Sequence, residues 1–151
     1  MRIALTADHN GIAYKRRFVE RLREQGHDVD DRGGHDPDDV VDYPALCAEL
    51  SRLVAAGAVD RGVVIGGSGQ GEAIACNKVR GVRAGLCQDL FGVGISRGNN
   101  DSNVLVLGAK VVSLALAEQL LQAWLDTPFK GGVHARRVAQ IAELERGELP
   151  G

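Results

Sequence analysis

The chain has 151 residues and a formal net charge of −2, with 44% hydrophobic, 25% charged and only 4% aromatic residues. These values describe one ordinary globular domain, large enough to bury about two-thirds of its unfolded surface. They exclude a global positive field for nucleic acid or an anionic membrane, and they leave little aromatic surface for stacking bases.

The opening MRIALTADH lacks the long apolar core of a signal peptide. Within it, IALTA (3–7) reads as a buried strand. Residues 11–25 place Ile12, Phe18, Val19 and Leu22 near one helical face, and Gly26 ends that helix. HDVDD (27–31) is a weaker strand and 32–42 a polar loop. A helix follows from Tyr43 to Ala56, with Asp42 as its expected cap and Pro44 in its first turn. GVVIGG (62–67) and RAGLCQ (83–88) are further strands, 89–97 a short helix and NVLVLG (103–108) the last strand. Residues 113–125 form an apolar helix that Thr127-Pro128 ends. Gly131-Gly132 then breaks the chain before an amphipathic helix over 133–146.

No apolar run approaches the roughly 18 residues that span a bilayer. Cys47, Cys76 and Cys87 are odd in number and without CxxC spacing, so buried thiols in a reducing compartment are expected, and with them a cytoplasmic location.

Alternating strands and helices imply βαβ units and right-handed crossovers. The expected fold is α/β: a single three-layer Rossmann-like (flavodoxin-like) domain over 1–151, with a five-stranded parallel sheet. The last helix is not needed for the sheet and is expected to pack on a second subunit. Ligands of such sheets sit beyond the carboxyl ends of the strands. Three polar loops are expected to gather there: Asp8-His9, Gly66 to Glu72, and 97–103.

The glycine loop VVIGGSGQGEAIACNK (63–78) fails the dinucleotide fingerprint, because Glu72 stands at its third position. It fails the phosphate-loop pattern as well, with Glu72 and Ala73 in place of Lys and Ser/Thr. A carboxylate there repels nucleotide phosphates. The glycines still bring backbone N–H groups to a helix N-terminus, where they can hold an oxyanion. Glu72 is then either a favourable first-turn acid on the helix dipole or a base facing that cradle, suited to removing a proton α to a carbonyl. Asp8-His9 is either an Asx turn capping the first helix or part of the ligand crevice. His134, Arg136, Arg137 and Lys110 are the candidate phosphate ligands, with a solvated face as the alternative. His27 and His35 have no partners at metal spacing and are read as surface residues, and no metal is expected.

Taken together, ADHNG (7–11), DYP (42–44), GGSGQGEAIACNK (66–78), VRAGLC (82–87), NNDSNVLVLGAKVV (99–112), AWL (123–125) and GGVHARRV (131–138) resemble the family of type B ribose-5-phosphate isomerases and galactose-6-phosphate isomerase subunits, nearly end to end. The resemblance implies a homodimer, or a tetramer built on it, with active sites shared between subunits. It also implies an aldose–ketose isomerase acting on a phosphorylated sugar through an enediolate, without metal or organic cofactor. Some members carry a catalytic cysteine right after the third strand. Here that position is Gly66, so Glu72 becomes the base.

By the same resemblance, Gly67, Ser68, Gly69 and Gly71 would stabilise the enediolate and Asp8 would bind sugar hydroxyls. His9 and the partner subunit's Arg137 would contact phosphate, Tyr43 would line the pocket and Asn100 would bind the open-chain sugar. Three positions depart from the pattern: Asn99 for a ring-opening histidine, Lys110 for an arginine, and Val133 for an arginine. The primary expectation is a ribose 5-phosphate/ribulose 5-phosphate isomerase. Asn99 motivates a tetrose 4-phosphate alternative, since a tetrose 4-phosphate cannot close a furanose ring. A hexose 6-phosphate isomerase and a non-catalytic sugar-phosphate-binding module are the other readings.

Overall fold

Five short parallel strands and six helices make up the computed structural model, which describes residues 1–151. The elements are β1 (Arg2–Ala7), α1 (Ile12–Glu24), β2 (Asp28–Asp31), α2 (Tyr43–Ala55), β3 (Arg61–Gly66), α3 (Gln70–Asn77), β4 (Ala84–Leu86), α4 (Leu90–Gly98), β5 (Val104–Gly108), α5 (Leu114–Asp126) and α6 (Val133–Glu145). The strand order is β2-β1-β3-β5-β4, all parallel. The expected three-layer α/β architecture is present. The last two strands are exchanged relative to the 2-1-3-4-5 order of flavodoxin.

Strand alternation and crossover hand together fix which helix covers which face. Ile3, Leu5, Val63, Ile65, Leu105 and Leu107 point to the face covered by α1, α4 and α5, where Phe18, Leu22, Val93, Leu120 and Trp124 close the core. Ala4, Val64, Val104 and Val106 point the other way, against Cys47, Leu50 and Val54 of α2 and Cys76 of α3. The three cysteines are free and buried. Cys47 donates toward Cys76, and this bond together with burial holds the Cys47 thiol above its ordinary range.

Lys15 is fully buried on the inner face of α1. Its ammonium pairs with Asp31 and donates to the Gly33 carbonyl at 2.6 Å. It thereby ties the start of the 32–42 loop to the sheet. α6 stands apart, with no buried residue. No helix is long and apolar enough to cross a membrane.

Candidate active site

At the carboxyl end of β1 the Asp8 N–H still donates to Ile65 of β3 (3.2 Å), so the two strands deliver their following loops side by side. Asp8 is 6% exposed, and its Oδ1 accepts from the Asn10 N–H at 2.8 Å. This is an Asx turn, one of the two readings of Asp8-His9. It does not cap α1, whose N-cap is Gly11 without a side-chain bond. Likewise Asp42 occupies the N-cap of α2 in extended conformation but makes no side-chain cap bond.

Beyond β3 the glycine turn is pinned to the turn after β5. Ala109 N–H donates to Gly66 (2.8 Å) and Lys110 N–H to Gly67 (2.9 Å). These bonds use the loop's carbonyls and leave the N–H groups of Gly67 and Ser68 without a backbone partner. Gly69 caps α3 with φ +79°, a left-handed conformation that suits glycine. The Ser68 hydroxyl, exposed, accepts from Gln70 N–H at 3.2 Å. Gly71 sits in the first turn of α3, where N–H groups lack intrahelical acceptors. The Tyr43 side chain from the start of α2 lies over it, so that a methyl group at Gly71 would overlap the phenol.

Glu72 lies in the first turn of α3, as expected, and is 4% exposed. Its carboxylate folds back onto the Cα of Gly66. Burial, and to a lesser degree the neighbouring charge of Asp8, pushes its carboxyl above the ordinary value. The backbone N–H groups of Glu72 and Gly69 partly oppose that rise. A buried carboxylate with raised proton affinity, beside free amide donors, has the composition of a proton-transfer site.

The structure gathers Asp8, His9, Tyr43, Gly67, Ser68, Gly69, Gly71, Glu72 and Lys110 at this edge. It does not bring the 97–103 loop there, contrary to expectation. Those residues precede β5 and lie at the amino ends of the parallel strands, where Gly62 N–H donates to Asn103 (3.0 Å) and Arg61 to Ser102 (3.1 Å). A parallel sheet presents only the loops that follow its strands at the carboxyl edge. Asn99 accepts from Lys130 at 2.9 Å, and the Asn100 carbonyl accepts from Arg83. α6 belongs to the same far edge. Lys130 N–H, just before it, donates to Gly98, and Glu145 at its end accepts from Gly81 N–H at 3.0 Å. His134, Arg136 and Arg137 are therefore carried at the edge opposite Glu72 within one chain.

That far loop is firmly held. Arg97 is 3% exposed and bonds to Asp101 (2.9 Å), which also pairs with Arg83. Asp101 is the only non-glycine residue with positive φ (48°). Trp124 donates to Ser102 at 2.8 Å, with Arg61 and Arg97 over its ring. The largest concavity, about 700 Å³, runs between β4, α4 and α6 past Phe91, Ile95 and Leu144. It is separate from the Glu72 edge. No three of His, Cys, Asp and Glu converge on a metal position.

Asn10 is the residue that sequence reasoning left without a role. In a turn it reads as turn chemistry, yet its amide touches Asp8, His9 and the glycine loop.

The ribose/galactose isomerase family model matches residues 3–141 of this chain. The chain belongs to the ribose/galactose isomerase family. Ribose-5-phosphate isomerase B of Escherichia coli is 39% identical over 145 residues, covering 96% of this chain and 97% of that protein. The structure of Clostridium thermocellum ribose-5-phosphate isomerase B superposes with a TM-score of 0.95 at 41% identity, covering 97% of this chain and 99% of the other. A Mycoplasma genitalium ribose-5-phosphate isomerase B with bound ribulose-5-phosphate gives a TM-score of 0.92 at 30% identity, covering 96% of each chain. In this chain the carboxyl edge of β1 and β3 carries the buried Glu72 carboxylate in the space that a side chain at Gly66 would fill.

Proposed function

We propose that this chain interconverts ribose 5-phosphate and ribulose 5-phosphate through an enediolate. The observation that carries the reading is Glu72, a buried carboxylate of raised proton affinity next to the unpaired amides of the glycine turn. Family membership and the ribulose-5-phosphate-bound relative support the choice of substrate.

With the open-chain aldose over the turn, Glu72 takes the proton from C2. The electron pair moves into the C1–C2 bond and charge develops on the carbonyl oxygen. The N–H groups of Gly67, Ser68 and Gly71 and the Ser68 hydroxyl meet that charge with little reorganisation. The C2 hydroxyl proton passes to the C1 oxygen, Glu72 returns its proton to C1, and C2 is left as the ketose carbonyl. The Gly69 backbone favours the charged form of the Glu72 carboxylate. Asp8 and Tyr43 hold sugar hydroxyls. His9 and Lys110 contribute to phosphate recognition from the same edge.

Asn99, Asn100, His134, Arg136 and Arg137 complete the neighbouring subunit's site in a homodimer, because their own edge is remote from their own Glu72. Exposed Phe91, Ile141 and Leu144 on that side give the contact apolar area.

In deuterium oxide, ribose 5-phosphate should gain deuterium at C2, and Glu72→Gln should abolish both exchange and turnover. Turnover retained by that variant removes Glu72 as the base. Mixing inactive Glu72→Gln with inactive Arg137→Ala chains should restore part of the activity; failure to do so refutes the shared site. A panel of ribose 5-phosphate, erythrose 4-phosphate, allose 6-phosphate and galactose 6-phosphate, scored by kcat/KM, should be led by ribose 5-phosphate.

A further inference from the structure

Asn10 follows His9 in the turn after β1. Its Nδ2 lies 3.2 Å from Asp8 Oδ2 and 3.4 Å from His9 Nε2, and its backbone N–H is 2.8 Å from Asp8 Oδ1. A carboxylate accepts hydrogen bonds. The end of the Asn10 amide that faces Asp8 is therefore the NH2 group, which has two hydrogens to give. One serves Asp8 and the other faces His9 Nε2. Two N–H groups cannot bond to each other, so Nε2 is the bare, accepting nitrogen. The imidazole proton is then on Nδ1.

His9 Nδ1 is buried and has no partner within the chain. The same Asn10 amide also lies on the glycine turn, where a Cβ at Gly67 would come 3.2 Å from Nδ2. A relay thus runs from Asp8 through Asn10 to His9, beside the amides left free for an oxyanion. It ends in one uncommitted N–H.

We propose that Asn10 is a positioning residue that fixes the tautomer and ring orientation of His9 at this edge, with the imidazole proton on the buried Nδ1. A doubly protonated ring would set Nε2–H against the Asn10 NH2. The proposal rests on reading this edge as the isomerase site, but its first test needs no substrate.

Long-range proton–nitrogen correlation spectra of the ¹⁵N-labelled chain, at a pH where imidazole is neutral, report the tautomer directly. His9→Gln identifies the signal by its loss. The native His9 should be the Nδ1–H tautomer, and Asn10→Ala should let it relax toward the Nε2–H form that free imidazole prefers. Adding ribose 5-phosphate should shift the native Nδ1 resonance. The same variant should lower kcat/KM for ribose 5-phosphate about tenfold, the worth of one hydrogen bond. A native His9 in the Nε2–H form overturns the proposal even if the variant fails to fold, and so does a tautomer that Asn10→Ala leaves unchanged. A correct tautomer in a chain that does not isomerise sugar phosphates refutes the function reading instead.

Discussion

Glu72 occupies the space in which Gly66 would carry a side chain. A methyl group on the Gly66 Cα would overlap the Glu72 carboxylate. The residue right after β3 and the first turn of α3 thus compete for one volume beside the glycine amides. A side chain can fill that volume from either position but not from both, so the Glu72 carboxylate as placed here is incompatible with a cysteine at 66.

Gly66→Ala should therefore displace the Glu72 carboxylate, the proposed base, and leave the fold intact. Misplacement of about 1 Å costs on the order of 100-fold in rate, and the overpacking about 1–3 kcal/mol of stability. Steady-state kinetics with thermal melts separate the two effects. An unchanged kcat would show that the carboxylate works from another position.

The raised proton affinity of Glu72 has a consequence for stability. The folded chain holds this proton more tightly than the unfolded chain does. The stabilisation is full below the ordinary value of 4.5 and is lost as pH rises through the raised one. Glu72→Gln removes the dependence. The variant should melt above the native protein at neutral pH, with the gap closing below pH 4.5. A gap independent of pH would contradict this.

Ser102 accepts from both Trp124 Nε1 (2.8 Å) and the Ser96 hydroxyl (2.7 Å). Ser102→Ala leaves the indole N–H buried without a partner, at a cost of about 1–3 kcal/mol. Denaturant unfolding should show this loss, and Trp124→Phe in the same background should return part of it.

Lys15→Met replaces a buried ammonium by a side chain of similar length. Asp31 and the Gly33 carbonyl then lose their donor. Removing one partner of a buried pair costs about 3–5 kcal/mol. The low end is expected here, because 27% of the Asp31 side chain reaches water. Limited proteolysis should place the new cut in the 32–42 loop, while cleavage elsewhere would show that Lys15 does not hold it.

Much of the layout was legible because strong patterns carried it. The runs at 3–7, 62–67 and 103–108 became β1, β3 and β5 within a residue, since buried parallel strands read as continuous apolar runs. The strand at 83–88 shrank to Ala84–Leu86, and the Asn77 side chain stands in for a neighbour by bonding both the N–H and the C=O of Ala84. Lys15 was missed because lysine on a helix is read as solvent-facing. Only the approach of Asp31 from another strand makes its burial tolerable. The 97–103 loop was assigned to the wrong edge because polarity says that a loop is exposed, not at which end of the strands it lies. Asn10 was passed over because its amide matters only through Asp8 and His9, a relation visible in three dimensions and not in spacing.

α6 buries none of its thirteen residues. It is moored by the turn at Lys130 and by the Glu145 carboxylate on Gly81 N–H. A free helix of that length is marginal in water, and Ile141 and Leu144 face outward. Under the proposed homodimer its amide protons should exchange with solvent at a rate that depends on protein concentration, slow where the second copy covers the face and fast on dilution; exchange independent of concentration would speak against that contact. The last helix would then be a gauge of the proposed subunit association, readable without touching the Glu72 edge.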